Sequence, residues 1–236
     1  MSGWHTGRMV AVDLETTAPS PEDARIVTAC VVHVGGGQPT VAREWLVDPG
    51  VDIPEGATAI HGITTERARA EGQDPASAVA EISAALTDAW SLGLPVVAFN
   101  AAYDLTVLDR ELDRHHSTNL AVTGPVIDPY VIDREVDKYR KGSRTLTAQA
   151  EHYRVSLDGA HDATADAVCA ARLVWRIGCM FPAVAGLSLP DLHAAQAKWH
   201  AARQADFAAY LKRVGKPADD VCGDWPMRSR TLAGAR

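Results

Sequence analysis

Three apolar runs follow one another near the N-terminus, at about residues 8–14, 26–34 and 41–47, separated only by the turn-forming segments TTAPSPEDA and GGGQPT. Runs rich in Val, Ile and Trp and joined so closely read as a strand meander. The pattern then changes. Asp74 and Pro75 open PASAVAEISAALTDAWSLG, where Val79, Ile82, Leu86 and Trp90 recur at helical spacing and Gly93 closes the stretch. LPVVAF predicts another buried strand, AAYDLTVLDRELDRH a helix, PVID a short strand, and residues 130–138, 145–153 and 162–179 further helices. Strands first, then strand and helix in alternation, predict an α/β fold with a central mixed five-stranded sheet flanked by helices.

At 236 residues and 47% hydrophobic composition, the chain fills a core without staples. Cys30, Cys169, Cys179 and Cys222 show no Cys-x-x-Cys spacing, which argues against a structural zinc site and a disulfide framework, and Cys30 and Cys169 read as core residues. MSGWHTGRMV lacks the charged start and apolar run of a leader, and no segment approaches the roughly 18 apolar residues of a membrane span. A cytoplasmic protein with no membrane partner is expected. The net charge of −7 counts against a general nucleic-acid binder with a basic surface. It leaves room for an enzyme that grips a strand end, because carboxylates that hold divalent metals raise the acidic count while the loaded site is far less negative.

The first apolar run ends in Asp13-Leu14-Glu15. In a strand, alternate side chains share a face, so the two acids stand side by side with Leu14 turned away. Such a pair is stable if both are solvated, if one is protonated, or if a cation lies between them. The same Asp-x-Glu spacing recurs at Asp109-Arg110-Glu111 and Asp133-Arg134-Glu135 in charge-rich helical surroundings, and these read as solvated helix faces. Asp104 lies in the first turn after a buried strand, on a helix face with Val107, Leu108 and Leu112. It is either a favourable acid near a helix N-terminus or part of a site, with Ala101 and Ala102 leaving room for an approach. Asp166 shares the apolar stripe of its helix with Cys169, Ala170, Leu173 and Ile177, and an acid there needs a partner; His161 stands five residues earlier.

Together, strand-borne Asp13-x-Glu15, FNAAYD ending in Asp104, and HDATAD with His161 and Asp166 resemble the three motifs of the DEDDh branch of the DnaQ-like 3′-to-5′ exonuclease family, which has a ribonuclease H-like fold. Order and separation match, and AIHGITTERA and the segment from Asp128 to Asp166 resemble the family's connecting pieces. The resemblance covers about residues 7–180; Tyr103 stands where the family more often has Phe.

The resemblance implies a metal-dependent 3′-to-5′ exonuclease that releases nucleoside 5′-monophosphates, with two divalent ions, Mg²⁺ or Mn²⁺, held by Asp13, Glu15, Asp104 and Asp166 and with His161 as general base. An unperturbed imidazole titrates near pH 6.5 and accepts a water proton at neutral pH. Asp162 reads as a helix cap. Substrate contacts fall on Leu14, Thr16, Thr17 and Asn100, and on Ile60 and His61, for which loop packing is an equal reading. KYRKGSR offers Lys141 and Arg144 to the phosphate backbone, or is a solvated loop. The expected partner is nucleic acid with a free 3′ end, single-stranded or frayed, with DNA favoured over RNA. An RNA-trimming ribonuclease or oligoribonuclease is the alternative enzyme, and a catalytically silent nucleic-acid-binding module the alternative of another class.

Residues 187–236 form a C-terminal helical extension and tail outside the resemblance. A helix over 188–214 carries a stripe of Leu192, Ala195, Trp199, Ala202, Asp206, Tyr210 and Val214, with Trp199 and Tyr210 as anchors. A second copy of the chain, a polymerase or a repair protein would suit that stripe. The tail from Lys216 reads as extended or loosely held, and the extension as having no catalytic part.

Overall fold

The computed structural model describes residues 3–230; the last part of the expected tail, 231–236, lies outside the described residues. Strands β1 (Arg8–Thr16), β2 (Ile26–Gly35) and β3 (Val41–Leu46) form the meander. Two short helices that the sequence reading did not anticipate follow, α1 (Glu55–His61) and α2 (Thr65–Glu71). Then come α3 (Pro75–Ser91), β4 (Val96–Val97), α4 (Ala101–His116), β5 (Val126–Ile127), α5 (Pro129–Val136), α6 (Leu146–Tyr153), α7 (Ala163–Met180), α8 (Pro182–Ala185) and α9 (Leu189–Arg213). The sheet order is β3-β2-β1-β4-β5, antiparallel between β1 and β2 and between β2 and β3, parallel between β1 and β4 and between β4 and β5. The five-stranded mixed sheet expected from the element pattern is present.

Strand periodicity divides the core. Val10, Val12 and Leu14 face one cluster with α3 and α4, whereas Met9 and Ala11 face the other with α7. By the same alternation Asp13 and Glu15, at the end of β1, fall on the α7 side. Because β1 and β4 run parallel, both deliver their C-terminal ends to one edge of the sheet, and α4 starts there directly after β4. In open α/β sheets that edge is where ligands are met. Cys30 and Cys169 are buried in the α7-side core, as expected.

Helix α9 packs differently from the expected stripe. Its buried residues are Leu192, Gln196 and His200, and from Ala202 onward the predicted stripe is exposed, with Tyr210 at 49%. Trp199 packs against both core clusters, so one of the two expected anchors holds. The polar choice follows from what α9 covers, which is the free edge of β5. Gln196 Nε2 donates to the Val126 carbonyl at 3.0 Å, His193 Nδ1 accepts the Val126 N–H at 3.0 Å, and Gln196 Oε1 accepts the Asp128 N–H at 2.7 Å. An edge strand leaves such groups unpaired, and an apolar stripe could not satisfy them.

The tail is irregular but not loose. Trp225 is buried, Arg228 N–H donates to Thr106 Oγ1 at 2.8 Å, and Arg230 bonds Asp109. The two helical Asp-x-Glu triplets are also unlike the solvated faces expected of them. Asp109, Glu111 and Asp133 are all but fully buried, and each meets arginine: Arg110 and Arg230 at Asp109, Arg114 and Arg25 at Glu111, Arg140 and Arg144 at Asp133.

Candidate active site

The cleft at this sheet edge, about 650 Å³, is lined by Asp13, Glu15, Asp104, His161 and Asp166 together with Leu14 and Asn100. Residues up to 153 positions apart in the chain thus meet in one place because β1, the start of α4 and the start of α7 converge. Asp104 is 5% exposed and accepts the Leu14 N–H at 3.2 Å, which ties α4 to β1. Asp162 caps α7 by accepting the N–H groups of Thr164 at 3.1 Å and Ala165 at 2.9 Å, the role the sequence assigned to it. His161, just before that cap, sits at φ 68°, a left-handed conformation uncommon for a non-glycine residue, and its N–H donates to Asp166 Oδ2 at 3.1 Å. The ring of His161 makes no hydrogen bond among the described residues and is exposed to the cleft.

All four carboxylates are held above their ordinary pKa. Burial is the main cause for each. For Asp13 the charges of Asp104, Asp166 and Glu15 add to it. Glu15 is pushed up to about 7, with Asp166 and Asp162 contributing. Burial likewise raises Asp104 against the opposing hydrogen bonds of its own N–H and that of Leu14, and Asp166 against His161. Among the described residues no Lys or Arg pairs with any of the four, in contrast to Asp109, Glu111 and Asp133. Asp166 Oδ1 is buried with no partner, and ligand atoms of Glu15, His161 and Asp166 lie within 4.8 Å of one another. Oxygen donors that are crowded, charged and unsatisfied fit hard divalent cations.

The Exonuclease (RNase_T) family profile matches residues 10–174, well over half of the chain. The chain belongs to the DnaQ-like 3′-to-5′ exonuclease family. This exonuclease chain is 27% identical over 168 residues to the PolC-type DNA polymerase III of Lacticaseibacillus paracasei, a match covering 71% of this chain and 11% of the polymerase. Its fold is similar to that of E. coli exonuclease I solved with a dA16 oligonucleotide, at TM-score 0.63 and 18% identity over 76% of this chain and 42% of that one. Exonuclease I of Methylocaldum szegediense gives TM-score 0.58 and 18% identity over 75% of this chain and 41% of that one. The chain therefore spans about a tenth of the polymerase and less than half of the exonuclease I chains.

Several residues expected to touch substrate are engaged elsewhere. Thr16 Oγ1 bonds the Ala18 carbonyl at 3.2 Å and the Tyr103 hydroxyl, and Thr17 Oγ1 accepts the Arg25 N–H at 3.0 Å, so both hydroxyls serve the turn after β1. Arg144 borders the cleft, but its guanidinium is buried against Asp133 Oδ2 at 2.6 Å and the carbonyls of Asp137 and Arg140 at 2.7 and 2.8 Å. Lys141 is exposed, away from the cleft lining. Ile60, 56% exposed, is outside it too, and His61 lies with His161 in an adjoining depression, where its Nδ1 accepts the Ile63 N–H at 3.1 Å and burial lowers its pKa.

The sequence reading overlooked Phe99, Tyr130 and Arg134, which also line the cleft. It overlooked Asp128 as well, which caps α5 and accepts the N–H groups of Asn100 and Ala101, each at 3.0 Å, so that β5 fixes the start of the Asp104 helix. A Tyr and an Arg four residues apart on a helix next to a recognised site was the available signal for Tyr130 and Arg134.

Proposed function

We propose that the chain is a metal-dependent exonuclease that removes nucleoside 5′-monophosphates from 3′ ends, of DNA in preference to RNA. The convergence of four unpaired carboxylates and His161 in one cleft supports the reading most. Asp13, Glu15, Asp104 and Asp166 would hold two divalent cations, Mg²⁺ or Mn²⁺, which in such sites shield the phosphate and activate and stabilise the attacking and leaving oxygens. His161, with neither ring nitrogen bonded to protein among the described residues, takes the proton of the attacking water on an imidazole nitrogen. The His161 N–H fixes the orientation of Asp166 beside it. Leu14 and Asn100 border the position of the terminal nucleotide. DNA is favoured because the similar proteins are a DNA polymerase and an exonuclease solved with a deoxyadenylate oligonucleotide.

Residues 7–180 are the exonuclease domain in this reading, and 187–236 an extension that steadies it. No helix among the described residues is long and apolar enough to cross a membrane, and four free cysteines suit a reducing cytoplasm. The deciding measurement is digestion of matched 5′-labelled DNA and RNA oligonucleotides with Mg²⁺ or Mn²⁺. Stepwise shortening from the 3′ end with mononucleotide release is expected, faster on DNA. Internal cuts, or no shortening of either polymer, would sink the reading, and faster loss of RNA would favour the ribonuclease.

A further inference from the structure

Arg134 occupies an unusual position for a guanidinium. It borders the carboxylate cleft and also a second groove of about 210 Å³ between α5 and α9, so it stands where the two meet. Among the described residues it pairs with no carboxylate, although its helix neighbour Asp133 takes two arginines. Its Nε is buried with no hydrogen-bond partner among the described residues. The guanidinium is instead laid over the Tyr130 ring at 4.6 Å, and that ring meets Phe99 edge to face at 5.5 Å. A planar cation stacked in this way has little side-chain freedom left to lose on binding, and its donors lie in a fixed fork that suits phosphate oxygens.

We propose that Arg134 binds an internucleotide phosphate of the strand whose 3′ end occupies the carboxylate cleft, and that the strand leaves the cleft along the groove between α5 and α9. The proposal rests on the exonuclease reading for what fills the cleft. The argument for the occupant is charge and continuity. Cations in the carboxylate cleft would serve only the terminal phosphate, so a phosphodiester chain lying further out on a protein of net charge −7 needs a local cation at the entrance, and Arg144 and Arg140 are committed to Asp133. Beyond Arg134 the groove is lined by Lys138 and Arg203, by the acids Glu135 and Asp206, and by Trp199 and Phe207, so with Arg134 its cations outnumber its acids and lie beside aromatic surface that suits bases. The extension thereby becomes one wall of the substrate path.

The test is fluorescence-anisotropy binding of 5′-fluorescein oligothymidylates of three and ten nucleotides to the full chain, with Ca²⁺ as the ion, between 50 and 200 mM salt. Wild-type protein should hold the decamer more tightly than the trimer. Arg134→Gln should weaken decamer binding about tenfold and reduce the magnitude of the slope of log K against log salt by about 0.7, the value of one single-strand phosphate contact. Arg134→Lys should restore the slope while recovering only part of the affinity, because the stacked fork is lost. Unchanged binding in Arg134→Gln, or weaker binding with an unchanged slope, overturns the phosphate contact. Equal affinity for trimer and decamer overturns the path along the groove. Cleavage in Mg²⁺ is scored separately: wild-type protein that binds with an Arg134-dependent slope but releases no mononucleotide refutes the exonuclease reading and leaves the phosphate contact standing.

Discussion

Replacing Arg230 by alanine measures how far the irregular C-terminal tail holds the fold. Arg230 donates to both Asp109 carboxylate oxygens, at 2.8 and 3.0 Å, and to the carbonyls of Asp109 and Thr118 at 3.0 and 2.7 Å. Asp109 is 1% exposed. Burial pushes its pKa up, but hydrogen bonds from Arg230 and the Leu120 N–H outweigh that, and the group ends below the usual carboxylate range. Removing one partner of a buried pair costs about 3–5 kcal/mol when nothing replaces it. Here Arg110 remains 2.5 Å from Asp109, and Arg230 is itself 31% exposed, so water already screens part of the interaction. The expected cost is about 1.5–3 kcal/mol, which lowers Tm by about 3–12 °C for a chain of this size. Urea and thermal unfolding of wild type, Arg230→Ala, Asp109→Asn and the double variant give the pairwise coupling. The pH dependence carries a sign. Because the folded pKa is depressed, the Asp109 contribution is fully present above the unfolded value near 4 and disappears as pH falls through the lower folded value. The gap between wild type and Arg230→Ala should be widest at pH 6–8 and close toward pH 3. A loss below about 0.5 kcal/mol at pH 7, the range of an ordinary surface change, or no coupling to Asp109→Asn, would refute the reasoning.

Three further outcomes are expected. Asp13→Ala or Asp166→Ala should abolish 3′-end shortening, yet leave the metal-free protein as stable as wild type or more so in thermal unfolding, since each removes a carboxylate that is crowded by others and largely withdrawn from water. His161→Ala should slow turnover about 10²–10⁴-fold while calorimetry still shows Mn²⁺ binding; metal affinity lost to the same degree as in Asp13→Ala would make His161 a ligand. The metal-free protein should lose stability as pH rises from about 4.5 to about 7 and beyond, because Glu15 binds its proton more tightly folded than unfolded across that window, and added Mg²⁺ should raise Tm most at the alkaline end; a metal effect equal at pH 5 and pH 8 would count against the carboxylates as the binding groups.

The architecture was legible because it is written in local periodicity. The meander, the five strands and the main helices each announce themselves within a dozen residues, and strand alternation alone puts Asp13 and Glu15 on one face. What the sequence hid is set at longer range. Short helices α1 and α2 carry few buried residues, with Ala68 the only one within them among the described residues, so no apolar stripe marks them. Helix α9 was assigned its length correctly and its face only in part: Leu192 and Trp199 pack as expected and the stripe from Ala202 onward does not, while the strand edge the helix covers has a demand for hydrogen bonds, met by His193 and Gln196, that leaves no hydrophobic signature.

The same limit explains the acids. Asp13, Asp109 and Asp133 occupy similar short motifs, and all three lose water on folding, but their fates differ by the partners that arrive from elsewhere. Asp133 takes Arg140 and Arg144 from 7 and 11 residues on, and Asp109 takes Arg230 from 121 residues on. A solvated face was therefore a reasonable reading of a charge-rich helix and the wrong one: cations stand close by in sequence, as Arg110 and Arg114 do, but the burial of these acids and partners such as Arg25 and Arg230 are set by distant parts of the chain. Asp13, Glu15, Asp104 and Asp166 come together by the same kind of long-range convergence, yet among the described residues no arginine arrives with them. A fold that supplies guanidinium partners to Asp109, Glu111 and Asp133, and N–H donors to Asp128, has the chemistry to neutralise these four as well. Leaving them unpaired at an open sheet edge raises the energy of the metal-free state, and that energy is recovered when cations enter. The site is thus recognisable less by which acids it contains than by the absence of the partners that acids elsewhere in the fold possess.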